Sequence, residues 1–563
     1  MKLFTFKNAV YAFVLLFSFA LKAQQWNGLT LYSNSGSSIA YLIDTNSTVV
    51  KTWNFTGGGT GYSTHLAPGG DLYRSVTTSN VLTGGGMTGK IQKWSYSGTL
   101  LWDYTYSSST YCMHHDHCVM PNGNVLIISY DVKSAATVTA AGGTNNITVW
   151  AEKILELQPT GLNTANVVWQ WNVWDHLVQN VNSSLANYQT SIVNNPQLLN
   201  INYALQKDWM HMNGIDYNPI LDQIVVSSHN LNEWYVIDHS TTTAQAAGHT
   251  GGNGGKGGDF LYRWGNPFAY QAGASSVLNV THDAHWIPEG IPNAGQLTGI
   301  NNKGITSPTQ QTTVDRIITP RNNYNYTITT GSPFTPLSYT SRHVSPSYTS
   351  NMGSSDQFPN GNQMICLATS GYIYEIDPSN TVIWSKSTGG TTPQAHRYTT
   401  CYINNPAPAQ PVITYNNPDL VSSAATTYQW YFNGNLIAGA TSQSYTPTQY
   451  GIYVVRTTDA NGCVNVYSQG LDYTPVTAIK YASNKLNTLT VFPNPTTGKI
   501  ELDFNGYLTE DFTVSIFDNM GKLVLISKNE TKIDLSNFNS GLYVLTVSSP
   551  NKISINKKIT LVK

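Results

Sequence analysis

His115-Asp-His-Cys-Val-Met-Pro-Asn-Gly-Asn-Val-Leu-Ile-Ile128 places a polar, histidine-bearing start, a Pro-x-Gly turn and an apolar strand in immediate succession. Proline presets one turn dihedral and glycine accepts a left-handed one, so two strands meet here as a hairpin. The order recurs at His65-Leu-Ala-Pro-Gly-Gly-Asp-Leu-Tyr73, His211-Met-Asn-Gly-Ile-Asp-Tyr-Asn-Pro219 and His282-Asp-Ala-His-Trp-Ile-Pro-Glu-Gly290. Ser355-Asp-Gln-Phe-Pro-Asn-Gly-Asn-Gln-Met-Ile365 and His396-Arg-Tyr-Thr-Thr400 complete six.

A second unit, apolar–Ile–Asp/Gln, a turn, then apolar–Trp, alternates with the first. It runs through Tyr41-Leu-Ile-Asp44 to Trp53, Ile91-Gln-Lys-Trp94 to Trp102, and Leu155-Glu-Leu-Gln158 to Trp169. It returns from Val236 to Trp264 and from Tyr374 to Trp384, with a fainter copy at Val314-Asp-Arg-Ile-Ile-Thr319 and Tyr326-Thr-Ile328. Hairpin plus hairpin is a four-stranded blade, and six blades close a ring without long exposed edges. The expectation is a six-bladed β-propeller over residues 26–403, with its longest insertion at about 171–208 and a short helix at Val173–Gln179. Blade starts lie at one mouth of the central channel, so their histidines should converge there.

Composition agrees with an all-β reading. Only 10% of residues are charged, against roughly 25% in ordinary soluble domains, and 46 Gly, 35 Tyr and 14 Trp suit pleated surfaces rather than helical ones. A net charge of −1 gives no electrostatic reason for a nucleic acid partner. Five cysteines require no disulfide framework; Cys112 with Cys118, or Cys366 with Cys401, are pairings an oxidising exterior permits.

Outside the ring, Lys2 and Lys7 precede an apolar run from Ala9 to Ala20 and a small residue at Ala23, the layout of a signal peptide over 1–23. No later segment is long and apolar enough for a transmembrane helix. A Pro/Ala linker at 404–411 leads to strands at short spacing over 412–472, a small β-sandwich similar to the Ig-like modules of bacterial surface proteins. A second linker, 473–486, leads to Thr490-Val-Phe-Pro-Asn-Pro-Thr-Thr-Gly498, Ser540-Gly-Leu-Tyr-Val-Leu545 and a final strand Lys557–Lys563. This segment, 487–563, resembles the C-terminal β-sandwich sorting domain of the Bacteroidetes type IX (Por) secretion system. The resemblance implies that the secretion machinery is a partner, and that the protein crosses the periplasm and outer membrane to be released or held at the cell surface.

The ring carries a resemblance of its own. Asp208-Trp-Met-His211-Met-Asn213, Tyr235-Val-Ile-Asp-His239, Leu261-Tyr-Arg-Trp-Gly-Asn-Pro267, His282-Asp-Ala-His285-Trp and Trp171-Asn-Val-Trp-Asp-His176 resemble the arylsulfotransferases, over roughly residues 30–403. That family consists of six-bladed propellers. It transfers a sulfuryl group from an aryl sulfate to a phenol by ping-pong through a sulfurylated histidine, without 3′-phosphoadenosine-5′-phosphosulfate (PAPS). Neutral imidazole is a competent nucleophile near pH 7. The resemblance implies His282 as nucleophile, with His285 the competing choice, and His115 and His211 as flanking histidines that bind sulfuryl oxygens or move the phenol proton. It further implies substrate contacts from Asn213, from Ser355 or its neighbour Ser354, and from Arg397 and Tyr398 at the sixth blade. Where the family pattern reads Arg-Asn after Val-Val-Ser-Ser, this chain has His229-Asn230, with Arg397, Arg342 or His396 as candidate replacements for the guanidinium.

No cofactor and no metal enters this reading. Cys112-Met-His114-His115-Asp-His117-Cys118 has the residue types of a zinc site, but strand alternation sends His115 and His117 to one face and His114 to the other. Gly251–Gly258 lacks the Lys-Ser/Thr of a phosphate loop and reads as a flexible hairpin tip. The rival to an enzyme is a non-catalytic cell-surface propeller that binds a glycan or a protein partner.

Overall fold

The computed structural model describes residues 24–273, 275–473, 489–504, 511–518, 522–548 and 554–563. The expected signal peptide and nearly all of the second linker, 474–486, lie outside them. Six four-stranded antiparallel sheets form the blades of the propeller. Their inner strands are Gly59–Leu66, Tyr111–Val119, Met212–Asn218, Thr281–Trp286, Ser354–Gln357 and Ala395–Tyr398 in blades one to six. The last blade is composite: Ala395–Tyr398 pairs with Leu29–Ser33 in the register Leu29↔Tyr398 and Thr30↔Arg397, so the two ends of the ring's sequence lock it shut.

The local reasons for the repeat are visible. At the Pro-x-Gly turns, Met120 N–H reaches Asn124 O at 2.9 Å, Ala67 reaches Asp71 at 2.8 Å and Phe358 reaches Asn362 at 2.9 Å. Gly123, Gly70 and Gly361 each take φ near +85° at the same turn position, which a side chain would oppose. The recurring tryptophan joins one blade to the next. The Trp53 indole N–H donates to Ser95 O at 3.0 Å, Trp102 to Thr164 O at 3.1 Å and Trp169 to Thr241 Oγ1 at 3.1 Å. Each indole is nearly fully buried, so the repeat combines apolar burial with a satisfied polar tip.

Two details depart from the sequence reading. In blade four the outer strand is Ser341–Val344, paired with Gln311–Ile317, while Tyr326 belongs to a separate small hairpin, Arg321–Asn322 with Asn325–Tyr326. The glycine-rich segment is a folded loop rather than a free tip: Gly254 N–H donates to Asp238 Oδ2 at 2.6 Å and Asn253 N–H to Ser240 Oγ at 2.7 Å. Val173–His176 is a short 3-10 helix within the long insertion.

The strands from Ile413 onward form two small sheets, one of Ile413–Asn416, Asp419–Ser422 and Ser444–Tyr445, the other built on Tyr428–Phe432 and Gly451–Thr458. This Ig-like sandwich belongs to the same compact unit as the propeller. Ile220 packs against Tyr431 and Val454, and a disulfide links Cys401 to Cys463. Cys401 therefore pairs with Cys463 and not with Cys366, neither pairing the sequence suggested forms, and Cys112, Cys118 and Cys366 are free thiols. The remaining compact unit is a sandwich of two sheets, Thr490–Phe492, Lys499–Asp503 and Lys532–Asp534 against Thr513–Phe517, Leu523–Lys528, Gly541–Ser548 and Ser554–Leu561. Val514, Ile516, Leu535 and Leu545 lie in its core.

Candidate active site

The inner strands of blades one to four are broken by a bulge, between Thr60 and Thr64, Met113 and His117, Met212 and Gly214, and His282 and His285. His115, His211 and Asp283 adopt φ of 49°, 52° and 58° at or beside these bulges. Bulges re-aim side chains at the cost of local strain, and here they turn imidazoles of three blades toward one another. Ring centroids run Tyr62–His115 5.2 Å, His115–His211 4.6 Å, His211–His229 5.1 Å, His229–His282 5.6 Å and back to Tyr62 at 6.2 Å. Five aromatic rings thus close on themselves. Gly85 and Gly86 border this ring: a Cβ on Gly86 would fall 1.9 Å from His115 Nε2, so only glycine lets that backbone pass.

Each imidazole is anchored through Nδ1. His282 donates to Asn302 Oδ1 at 2.6 Å, and Asn302 is fixed in turn by donating to Met352 O at 2.8 Å and Thr349 O at 3.2 Å. His282 Nε2 therefore holds the lone pair, which accepts a 3.1 Å hydrogen bond from Met352 N–H. His211 Nδ1 lies 2.6 Å from Asp208 Oδ2 and His229 Nδ1 2.7 Å from Asn230 Oδ1. His115 Nδ1 meets His114 Nδ1 at 2.8 Å, and His114 Nε2 meets Glu152 Oε2 at 2.9 Å. His114 also stacks on Tyr130 at 3.7 Å.

Burial governs the charge of the ring. It pushes the pKa values of His282, His115 and His114 well below 6.5, and neighbouring imidazoles add to the effect. His229 is lowered by burial first and then by the charge of His211. Burial pushes the Glu152 carboxyl well above its ordinary range, although the Met212 N–H hydrogen bond opposes this. Ionised Glu152 accepts from His114, which then accepts from His115 Nδ1–H. Protonated Glu152 reverses both bonds and moves the His115 proton to Nε2. The line Glu152–His114–His115 is thus a two-state proton relay ending at the channel.

A second cluster lines a cavity of about 330 Å³, including His65, Asp116, Asp216, Asp283, His285, Ser355, Asp356 and His396. Burial works against charge on His285, but Asp283 and Asp216 outweigh it and raise its pKa to about 10. Burial likewise opposes the His396 charge, and Asp356 overcomes it, with a 2.9 Å contact between them. His285 is imidazolium at neutral pH and His396 is shifted the same way, whereas burial keeps His282, His115 and His229 toward the neutral form.

Placed on this geometry, the sequence-predicted residues separate. His115, His211, His229 and His282 come together. Asn213 spans blades three and four, donating to Thr281 O at 2.8 Å and accepting from Ser227 Oγ at 2.6 Å. Ser355 lies in the second cavity, and Ser354 ties down Ala395. Arg397 is corrected: its guanidinium is bound to Glu375 and to Thr30 Oγ1 inside the closing blades and stacks over Trp384. Tyr398 accepts from Leu66 N–H and stacks on Tyr402, also away from the ring. Arg342 forks onto Asp315 through two 2.6 Å bonds. Neither arginine, nor His396 in the second cavity, stands in for the family's guanidinium. The bulge also overturns the alternation argument for residues 114–117. His115 joins the ring, whereas His117 bonds Ser63 at 2.7 Å and edges onto His65. Tyr62, His114, Glu152, Asp208 and Asn302 were given no role from the sequence; His114, beside His115, and Asp208, three residues before His211, had drawn notice there only as parts of motifs.

The sequence profile of the arylsulfotransferase (ASST) family matches residues 22–492, and that of the secretion system C-terminal sorting domain matches residues 490–562. The second marks the protein for type IX export to the cell surface or beyond it. No described helix is long and apolar enough to cross a membrane. No curated protein matches the chain. Among solved structures, a protein of unknown function from Bacteroides caccae is 11% identical with a TM-score of 0.38, covering 66% of this chain and 99% of its own. Virginiamycin B lyase from Staphylococcus aureus is 10% identical with a TM-score of 0.31, over 70% and 94%. Likenesses this distant carry no information about function.

Proposed function

Because the chain belongs to the arylsulfotransferase family, we propose that it moves a sulfuryl group from an aryl sulfate ester to a phenolic acceptor by ping-pong through sulfurylated His282. The observation that carries this reading is the closed ring of His115, His211, His229, His282 and Tyr62, with His282 neutral and its Nε2 holding the lone pair. His285, an imidazolium, is the weaker nucleophile, since it has no lone pair to offer.

In the first half-reaction the His282 Nε2 lone pair attacks sulfur as the S–O(aryl) bond breaks, displacing the Met352 N–H contact. The departing phenolate takes its proton from His115 or His211. Positive charge on the sulfurylated imidazole spreads to Nδ1–H, where Asn302 Oδ1 accepts it. In the second half-reaction a phenol loses its proton to the same flanking histidine and attacks sulfur, which restores His282. The donor is the ester itself, independent of PAPS, and the neighbouring imidazoles serve as donors to sulfuryl oxygens once protonated.

The test uses purified protein with p-nitrophenyl sulfate, with and without phenol, beside His282→Ala. Phenol-dependent nitrophenol release that disappears in the variant supports the reading. Release without phenol makes water the acceptor and the protein a sulfatase. A folded protein with no turnover between about pH 5 and 9 on several aryl sulfates overturns the enzyme reading. In that case the rival, a binding propeller whose His229 replaces the arginine, takes its place.

A further inference from the structure

We propose that His176, His249 and Asp259 form a binding site for a divalent transition cation, Zn²⁺ above all, apart from the histidine ring. His176 lies in the insertion before blade three, and His249 and Asp259 bracket the glycine-rich loop Thr250–Gly258. His176 Nδ1 is 2.8 Å from Asp259 Oδ1, His249 Nδ1 is 2.7 Å from the same oxygen, and one ligand atom from each residue lies within 4.8 Å of the others.

The pattern of donors and acceptors favours a cation there. His176 Nε2 is 2.8 Å from the Ala246 carbonyl oxygen, which only accepts, so Nε2 carries a hydrogen. A neutral His176 then directs the lone pair of Nδ1 at a carboxylate oxygen, which is repulsive at this distance. Either a second proton on His176 or a metal ion resolves the conflict. His249 arriving at the same oxygen supplies a third ligand, and two imidazole nitrogens with one carboxylate suit Zn²⁺. Tetrahedral zinc at about 2.0–2.1 Å sets ligand atoms roughly 3.3 Å apart, so each imidazole nitrogen need draw back from the Asp259 oxygen by only about half an ångström.

The surroundings are built to hold the ligands. The Ala246 carbonyl fixes the His176 tautomer, as an outer partner does in metal sites. Trp171 stacks parallel to His176 at 5.6 Å and donates its indole N–H to Gly258 O at 2.7 Å. A Cβ on Gly258 would fall 2.6 Å from His176 Nε2 and 2.0 Å from Ala246 O, so glycine is required for the chain to pass. The His249 side chain is 59% exposed, leaving a coordination position open to water. Lys256, whose charge reaches Asp259, is the competing cation. The ion would fasten the glycine-rich loop to the insertion, a structural role rather than a catalytic one.

The experiment titrates EDTA-treated full-length protein, purified without a histidine tag, with ZnCl₂ by calorimetry, and counts bound metal by mass spectrometry. The expected result is one zinc per chain. His249→Ala, an exposed change that leaves the fold intact, should weaken binding at least about 100-fold, and Asp259→Asn should do the same. His282→Ala should leave it unchanged, and zinc should slow proteolysis within 248–258. Substoichiometric binding, wild-type affinity in His249→Ala, or loss of zinc in His282→Ala instead would each overturn the proposal.

Discussion

Replacing His229 with arginine tests the ring where it departs from the family pattern. His229 donates Nδ1–H to Asn230, so the neutral ring can offer a sulfuryl oxygen only the lone pair of Nε2. Binding an aryl sulfate beside it therefore requires a proton. Burial, then the charge of His211, keeps its pKa below 6.5. At about 1.36 kcal/mol per pH unit, protonating it at pH 8 costs at least about 2 kcal/mol, and at pH 7 at least about 0.7. A guanidinium carries its charge at every working pH. KM for the aryl sulfate in the wild type should therefore rise about tenfold per unit above neutrality. His229→Arg should bind at least about 30-fold more tightly than the wild type at pH 8 and at least about threefold at pH 7, the gap narrowing as pH falls further. The added positive charge also keeps His282 deprotonated, so turnover should survive. The assay is p-nitrophenyl sulfate with phenol across this pH range, with calorimetric binding of inorganic sulfate and a melting curve as controls. A wild-type KM that is flat from about pH 6.5 to 8.5, or a folded His229→Arg protein with the wild-type slope, would refute the reasoning.

Three further outcomes are expected from the geometry. Glu152→Gln keeps the shape of the buried group but cannot exchange a proton with His114. We expect kcat to fall about 100-fold with KM little changed and the pH profile shifted; an unaltered kcat removes the relay. Arg263 is fully buried, forks onto Glu233 through 3.0 and 2.6 Å bonds and donates to Pro196 O and Leu198 O. Arg263→Met strands the Glu233 carboxylate and should cost about 3–5 kcal/mol in a denaturant melt, so a loss below about 1 kcal/mol would contradict this. His285, raised to about 10, contributes stability that is fully present below about pH 6.5 and is lost as pH climbs toward 10. The melting temperature should fall across that window, and His285→Gln should flatten the fall; an equally steep decline in the variant would assign it to other groups.

Much of this protein is legible along the chain, because the features that build it are local. Pro-x-Gly turns need particular dihedrals at particular residues, and each recurring indole must be buried with its N–H satisfied, so repetition of those residues announces repeated blades. His115, His211 and His282 could be grouped because they occupy equivalent places in the repeat, and His229 because the surrounding motif marks it. Arg397 and Tyr398 hold an equivalent place too, yet they start the blade that the chain's beginning completes. Trp26 and Thr30, far away in sequence, claim the guanidinium together with Glu375.

What the sequence alone determined, then, is the all-β ring and its blade count; of the histidines it grouped at the blade starts, His65 and His396 line the second cavity instead of the ring. Only the tertiary structure decided which nitrogen each imidazole presents and which imidazoles are charged. Strand alternation has a period of two, and a bulge re-aims the side chains within it; the four steps from Met113 to His117 face only two from Ser129 to Ile127, and nothing in Met113–His117 announces this. The partners Asn302, Asp208 and Glu152 arrive from other strands and loops. Burial then favours neutral imidazole in the ring, while Asp283 and Asp216 favour imidazolium at His285, a distinction that depends on three-dimensional neighbours and on no local pattern.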